Sequence, residues 1–176
     1  MTLHKISEEV FVMDTPIVRI GDNDLAFLKR QASMNSRKRA RICAHPHDGD
    51  ALHEMVIAMS AASYIHPHKH IAKTESFHII EGQVDVVMFA DDGAVVDVIE
   101  LGEKGSQRKF YYRLNDSMFH TLLIRTDFLI VHEVTNGPFD PENTILASFA
   151  PLENETKAVK RYIDRLSDAV SRHLGH

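Results

Sequence analysis

The sequence predicts a mainly-β domain, a sandwich, jelly roll or closed barrel, with one helix ahead of the strands and an amphipathic helix after them. Three observations carry this. Between Glu54 and Phe149 about eight short apolar runs follow closely on one another, and turn-forming residues separate several of them. From about Glu155 to Leu174 the apolar residues recur every three or four positions instead of every two. The chain has 176 residues, 44% of them hydrophobic, which suits one domain with a real core.

Taken in order, residues 8–13 (EEVFVM) read as a short strand. Asp22 or Asn23 is placed to cap a helix running to about Met34, with Leu25, Leu28 and Ala32 on one face. A basic run, Arg37-Lys38-Arg39-Ala40-Arg41, leads to Ile42 and Cys43, and residues 44–50 (AHPHDGD) are a loop by composition. The strand runs are 54–60, 75–80, 83–90, 94–101, 107–113, 119–124, 127–134 and 144–149. Their separators include Glu81-Gly82, Asp91-Asp92-Gly93, Gly102 to Gly105 and Asn136-Gly137-Pro138. In the tail, Val159, Tyr162, Ile163, Leu166, Ala169, Val170 and Leu174 form one apolar stripe, suited to packing on the barrel or on a neighbouring subunit. The expected layout is an N-terminal strand, helix and basic arm over 1–53, a barrel over 54–151 and a C-terminal helix over 152–176, one structural domain in all.

Composition narrows the function. A net charge of −5 argues against a general nucleic-acid binder, whose surface is strongly basic. Cys43 is the only cysteine, so neither an intrachain disulfide nor a cysteine-based zinc cluster can form, which fits a reducing compartment. Glu8, Glu9 and Asp14 interrupt the first apolar residues, and no window approaches the roughly 18 apolar residues of a membrane span. A cytoplasmic protein is expected.

The 12 histidines raise the question of a metal. In an extended chain, residues two apart point to the same side, so His68 and His70 can face inward together. A four-residue turn follows, and Glu75 begins the next strand. If Glu75 points inward, so do Phe77 and Ile79, and Gly82 sits at the hairpin turn. His120, on an apolar strand with Leu122 and Ile124 on its face, is the candidate fourth ligand. Such nitrogen and oxygen donors suit one divalent ion, Fe, Mn, Zn, Ni or Co. His66 shares parity with His68 and reads as a pocket residue. His132 reads as a partner of the ligands, whereas His45 and His47 lie in a loop without a carboxylate at the right spacing.

The run His68-x-His70-x4-Glu75-x6-Gly82 resembles the first motif of the cupins, and His120 resembles the histidine of their second. Asn115-Asp116-Ser117 stands where the second motif has Pro-x-Gly, and Ala62 stands for the leading glycine of the first. RKRAR before Cys43, SYIHPHKH, ESFHIIEG, FHTLL, HEVTNGPFDP and FAP together resemble the WbuC family of cupin-fold metalloproteins, over about residues 5–151. The resemblance implies a double-stranded β-helix, a jelly-roll barrel, and a place in bacterial surface-polysaccharide (O-antigen) biosynthesis. It implies no particular reaction.

The four donors would leave an ion with open positions, the mark of a catalytic rather than a structural metal. The leading expectation is a metal-dependent isomerase or epimerase acting on a sugar or sugar-derived molecule. Candidates for the base are His66, His132, Tyr64, Tyr111 and Tyr112. Arg37, Arg39 and Arg41 share one face in strand alternation and are candidates for an anionic ligand such as a phosphate. An Fe(II) dioxygenase and a non-catalytic sugar-binding module are the alternatives, and a homodimer is the expected assembly.

Overall fold

Strand alternation sorts most of the apolar residues into two sets, and the structure gives each set its own layer. The computed structural model describes residues 3–175. In chain order it contains β1 (Leu3–Lys5), β2 (Val10–Met13), α1 (Asp22–Met34), β3 (Arg39–Cys43), β4 (Leu52–Ser60), β5 (His68–His70), β6 (Glu75–Glu81) and β7 (Gln83–Phe89). There follow β8 (Val95–Gly102), β9 (Tyr111–Leu114), β10 (Phe119–Ile124), β11 (Phe128–Asn136), β12 (Thr144–Leu146) and α2 (Thr156–Leu174).

The strands form two sheets. One has seven strands in the order β1-β2-β3-β4-β11-β6-β9, the other five in the order β12-β5-β10-β7-β8. All pairings are antiparallel except β2 with β3. Between the sheets, Met55, Ile57, Met59, Phe77, Ile79, Leu129 and Val131 meet Val84, Val86, Met88, Leu101 and Leu122. Outside the larger sheet, Leu28 and Ala32 of α1 cover Ala40, Ile42, Val56, Ala58 and Ile130. Outside the smaller sheet, Leu166 and Val170 of α2 cover Val87, Phe89, Val98, Phe119 and Leu123. Strands covered on both faces lose their polar alternation, which is why β4 and β7 read as nearly continuous apolar runs. This is the jelly-roll barrel the sequence predicts, with a helix from each end of the chain, and α2 lies on its own barrel.

Local boundaries differ from the expected ones for identifiable reasons. Helix α1 starts at Asp22, with Gly21 as its N-cap and the Asp24 carboxylate accepting from the Gly21 N–H at 2.9 Å. The run 107–113 is extended only from Tyr111, because Gln107 takes a φ of 65°. The run 144–149 stops at Leu146, where the Ala147 N–H turns to the Pro67 carbonyl at 2.9 Å. From Arg39 on, the basic run is itself a strand of the larger sheet, whereas Arg37 and Lys38 lie in the turn before it, Lys38 with a φ of 58°, so Arg37 does not share a strand face with Arg39 and Arg41. Ala40 and Ile42 lie under α1, so Arg39, Arg41 and Cys43 face the other way. Gly82 has a φ of +86°, as the hairpin between β6 and β7 requires, and a Cβ there would run into the Phe128 carbonyl.

Candidate metal centre

Three imidazoles and one carboxylate meet where the two sheets face each other. His68 and His70 come from β5, His120 from the adjacent β10, and Glu75 from β6 of the opposite sheet. His120 and His68 are cross-strand partners, with ring centroids 4.7 Å apart. One donor atom from each of the four residues lies within 4.8 Å of all the others. His70 Nε2 is 3.5 Å from Glu75 Oε2, and His120 Nε2 is 3.4 Å from Oε1.

The other nitrogen of each ring is already engaged. His68 donates from Nδ1 to the His66 carbonyl at 2.8 Å, and His120 from Nδ1 to the Met118 carbonyl at 3.0 Å. His70 Nδ1 meets the Thr144 hydroxyl, on β12, at 3.1 Å. A carbonyl can only accept, so His68 and His120 carry their proton on Nδ1 and present a bare Nε2. Outer contacts of this kind orient metal-binding histidines. Tyr112 donates its phenol to Glu75 Oε1 at 2.9 Å and so orients the carboxylate. The four residues therefore fit a single divalent ion.

The electrostatics agree with a cationic occupant. Burial, with His120 alongside, lowers the His68 ring to about 4, so it is neutral near pH 7. Burial works against charge on Glu75 as well, yet His120 and His70 hold its carboxyl well below the usual range. Burial also opposes a proton on His120, but the Glu75 carboxylate outweighs it and raises the ring.

A family described as a domain of unknown function, DUF6016, matches residues 20–101, from the cap of α1 to the end of β8. No curated protein matches the chain. Among solved structures, the capsular polysaccharide assembling protein CapF of Staphylococcus aureus is similar, at 16% identity over 64% of this chain, with a TM-score of 0.50. The two facing sheets are those of a double-stranded β-helix, a jelly-roll barrel. The matched part is 32% of CapF. A Shewanella oneidensis protein matches at 12% identity over 69% of this chain and 75% of its own, with a TM-score of 0.49. The DMSP lyase DddQ of Ruegeria pomeroyi matches at 17% over 65% and 54%, with a TM-score of 0.48. At these identities the likeness speaks for the fold alone.

The barrel opens on a cavity of about 440 Å³ that contains all four residues. Its walls include Ile57, Met59, Ile65, Phe77 and Leu122, with Arg39, Arg41, Lys73 and Glu133 as charged members. Several residues singled out in the sequence lie elsewhere. His132 is on the outer side of β11, its Nε2 3.5 Å from Glu54, because its neighbour Glu133 takes the inward position. Tyr64 donates its phenol to the Pro151 carbonyl at 3.0 Å and packs on Tyr162 of α2. His66 packs against Tyr64, since Ile65 is the residue that turns inward and the chain does not become regular strand until His68. Tyr111 is exposed, whereas Tyr112 reaches Glu75. Arg37 lies outside the cavity lining and pairs with Glu153 at 3.0 Å and Glu9 at 3.2 Å. Arg39 lines the cavity but faces the same two carboxylates, Glu9 at 3.6 Å and Glu153 at 3.9 Å. His45 and His47 line the mouth, where His45 stacks on His53 at 4.1 Å. No described helix is long and apolar enough to cross a membrane.

Proposed function

We propose that the protein is a metal-dependent isomerase or epimerase, in which His68, His70, Glu75 and His120 hold one divalent ion and the cavity takes a sugar or sugar-derived molecule. The observation that carries the reading is the set of bare Nε2 atoms converging with Glu75 on a cavity that also contains a second, unpaired carboxylate, Glu133. The resemblance to the WbuC family supports a place in surface-polysaccharide biosynthesis, and CapF, which shares the fold, is named for capsular polysaccharide assembly.

A divalent ion at this site supplies a Lewis acid that polarises a carbonyl or hydroxyl oxygen of the bound molecule. The chain supplies the rest. Glu133 pairs across the sheet with Phe77, two positions along β6 from Glu75, which makes the two carboxylates diagonal neighbours on the inner face. Among the described residues its carboxylate has no hydrogen-bond partner, so it is free to take a proton from the carbon next to a carbonyl and return it. In the metal-free chain burial and the Glu75 charge push its carboxyl up to about 8, and burial continues to raise it where an ion balances Glu75, the direction that suits a general base near neutral pH. Tyr112 keeps Glu75 oriented.

The test is solvent deuterium incorporation. Metal-loaded protein is incubated in D₂O with a panel of sugar phosphates and nucleotide sugars, and carbon-bound protons are followed by NMR. The expected result is exchange next to the carbonyl, slowed about 100-fold or more by Glu133→Gln. No exchange across the panel overturns the reading. Oxygen uptake by the iron-loaded protein would then favour a dioxygenase, and ligand binding without either reaction a binding module.

A further inference from the structure

Two cations in the cavity are used neither by the metal cluster nor by an ion pair. Arg41 lies on β3 and Lys73 in the turn between β5 and β6, and both line the cavity. Among the described residues, no carboxylate oxygen lies within 4.0 Å of either head group. The contrast with their neighbours is the informative part. Arg37 and Arg39 are held by Glu9 and Glu153, and Lys69 by Asp91 at 2.9 Å. Of the other carboxylates on the cavity wall, Glu9 is taken by those arginines and Glu75 belongs to the metal cluster. Asp48 and Glu133 remain.

The ladder places the two cations on either side of Glu133. Cys43 faces Met55 across β3 and β4, and Met55 faces Glu133 across β4 and β11. Arg41 is one inward position along from Cys43, so its backbone is about 12 Å from that of Glu133, within reach of two long side chains pointing at the same space. On the other side, the turn that holds Lys73 is fixed to the end of β11. The Thr74 N–H donates to Asn136 Oδ1 at 2.7 Å, and the Thr135 hydroxyl donates to the Thr74 carbonyl at 2.8 Å. Ala72 adopts a φ of 52°, a left-handed conformation strained for a residue with a Cβ, beside these contacts. The Lys73 ammonium then lies 5.7 Å from the ring of Phe139, which also lines the cavity. Both cations pull the Glu133 carboxyl down against its burial, as groups facing one space must.

We propose that Arg41 and Lys73 form an anion subsite, which holds the phosphate or carboxylate group of a sugar derivative whose oxygens at the other end lie against His68, His70, Glu75 and His120. The proposal rests on reading the cavity as a substrate site, but not on occupancy of the metal cluster. An arginine fork and an ammonium suit tetrahedral and planar oxyanions alike.

The experiment is calorimetric titration of the metal-stripped full chain with inorganic phosphate, with gluconate and with glucose. Phosphate or gluconate should bind one to one, glucose should not, and the tighter of the two anions names the anionic group. Arg41→Gln and Lys73→Gln should each weaken anion binding about 10-fold or more, and the double variant should abolish it. Lys104→Gln, which removes a charge outside the cavity, should leave it unchanged. Every variant should still take up one equivalent of Zn(II), which shows that it is folded. Absence of anion binding to the wild type, equal binding by all variants, or equal weakening by Lys104→Gln overturns the proposal. If instead the wild type binds anions as expected but His68→Ala and His120→Ala still take up a full equivalent of metal, the metal reading fails and the anion subsite stands.

Discussion

His132 and Glu133 are neighbours on β11 with opposite surroundings. The histidine shares the outer side of the larger sheet with Glu54, while the carboxylate lies in the cavity beside the metal cluster. A charged side chain in that position must have either a partner or a use. Its charge has a measurable consequence for the metal-free protein. A carboxyl raised from an ordinary value of 4.5 to about 8 binds its proton more tightly folded than unfolded. The folded state is therefore favoured below about 4.5 and loses that advantage progressively as pH rises to about 8. Glu133→Gln removes this loss, so the variant should gain stability over the wild type between pH 5 and pH 8.5. Urea unfolding of metal-stripped protein at the two values checks this, and a pH-independent difference would contradict it. Parity alone was enough to choose between neighbours once the register of β11 was known. The sequence favoured the histidine because imidazole is the commoner partner of a metal.

Among the elements, α2 was the most legible, since its stripe runs for five turns without interruption, and only its docking place was open. It covers β7, β8 and β10 from outside, and β10 carries His120 on its other face. Leu166 is 5% exposed in this layer. Leu166→Ala should cost about 2–4 kcal/mol by chemical denaturation, the usual range for a leucine lost from a core, with metal stoichiometry unchanged. Loss of metal binding in a folded Leu166→Ala protein would mean that α2 positions the site as well as the sheet. The short strands β1, β5 and β12 were not read as strands of that length, because three residues carry too little periodicity to distinguish from a loop. β5 is strand because β10 and β12 pair with it on both sides.

At the scale of the whole molecule, the metal cluster bridges the two sheets. Its three histidines belong to the five-stranded sheet and its carboxylate to the seven-stranded one. An ion bound there binds only the folded chain. At a free concentration 100 times its dissociation constant it should add about 2.7 kcal/mol of stability, seen as a rise in Tm of roughly 5–10 °C. Scanning calorimetry with Zn(II) or Mn(II), compared with chelator-treated protein, measures this, and an unchanged Tm at saturating metal would argue against an ion spanning the sheets.

By itself the sequence determined the class of fold, the inward parity of Glu75, Phe77 and Ile79, the left-handed turn at Gly82 and the four residues worth bringing together. Each of these depends on local alternation or on one backbone conformation, which a run of residues specifies without reference to the rest of the chain. Only the tertiary structure decided that Glu133 enters the cavity, that His66, His132 and Tyr64 do not, and that Arg41 and Lys73 stand free while Arg37 and Arg39 are paired. Those outcomes depend on which strands lie side by side and which distant carboxylates reach a given cation. Glu9 and Glu153 are 144 residues apart in the chain and meet on Arg37 only in the folded structure.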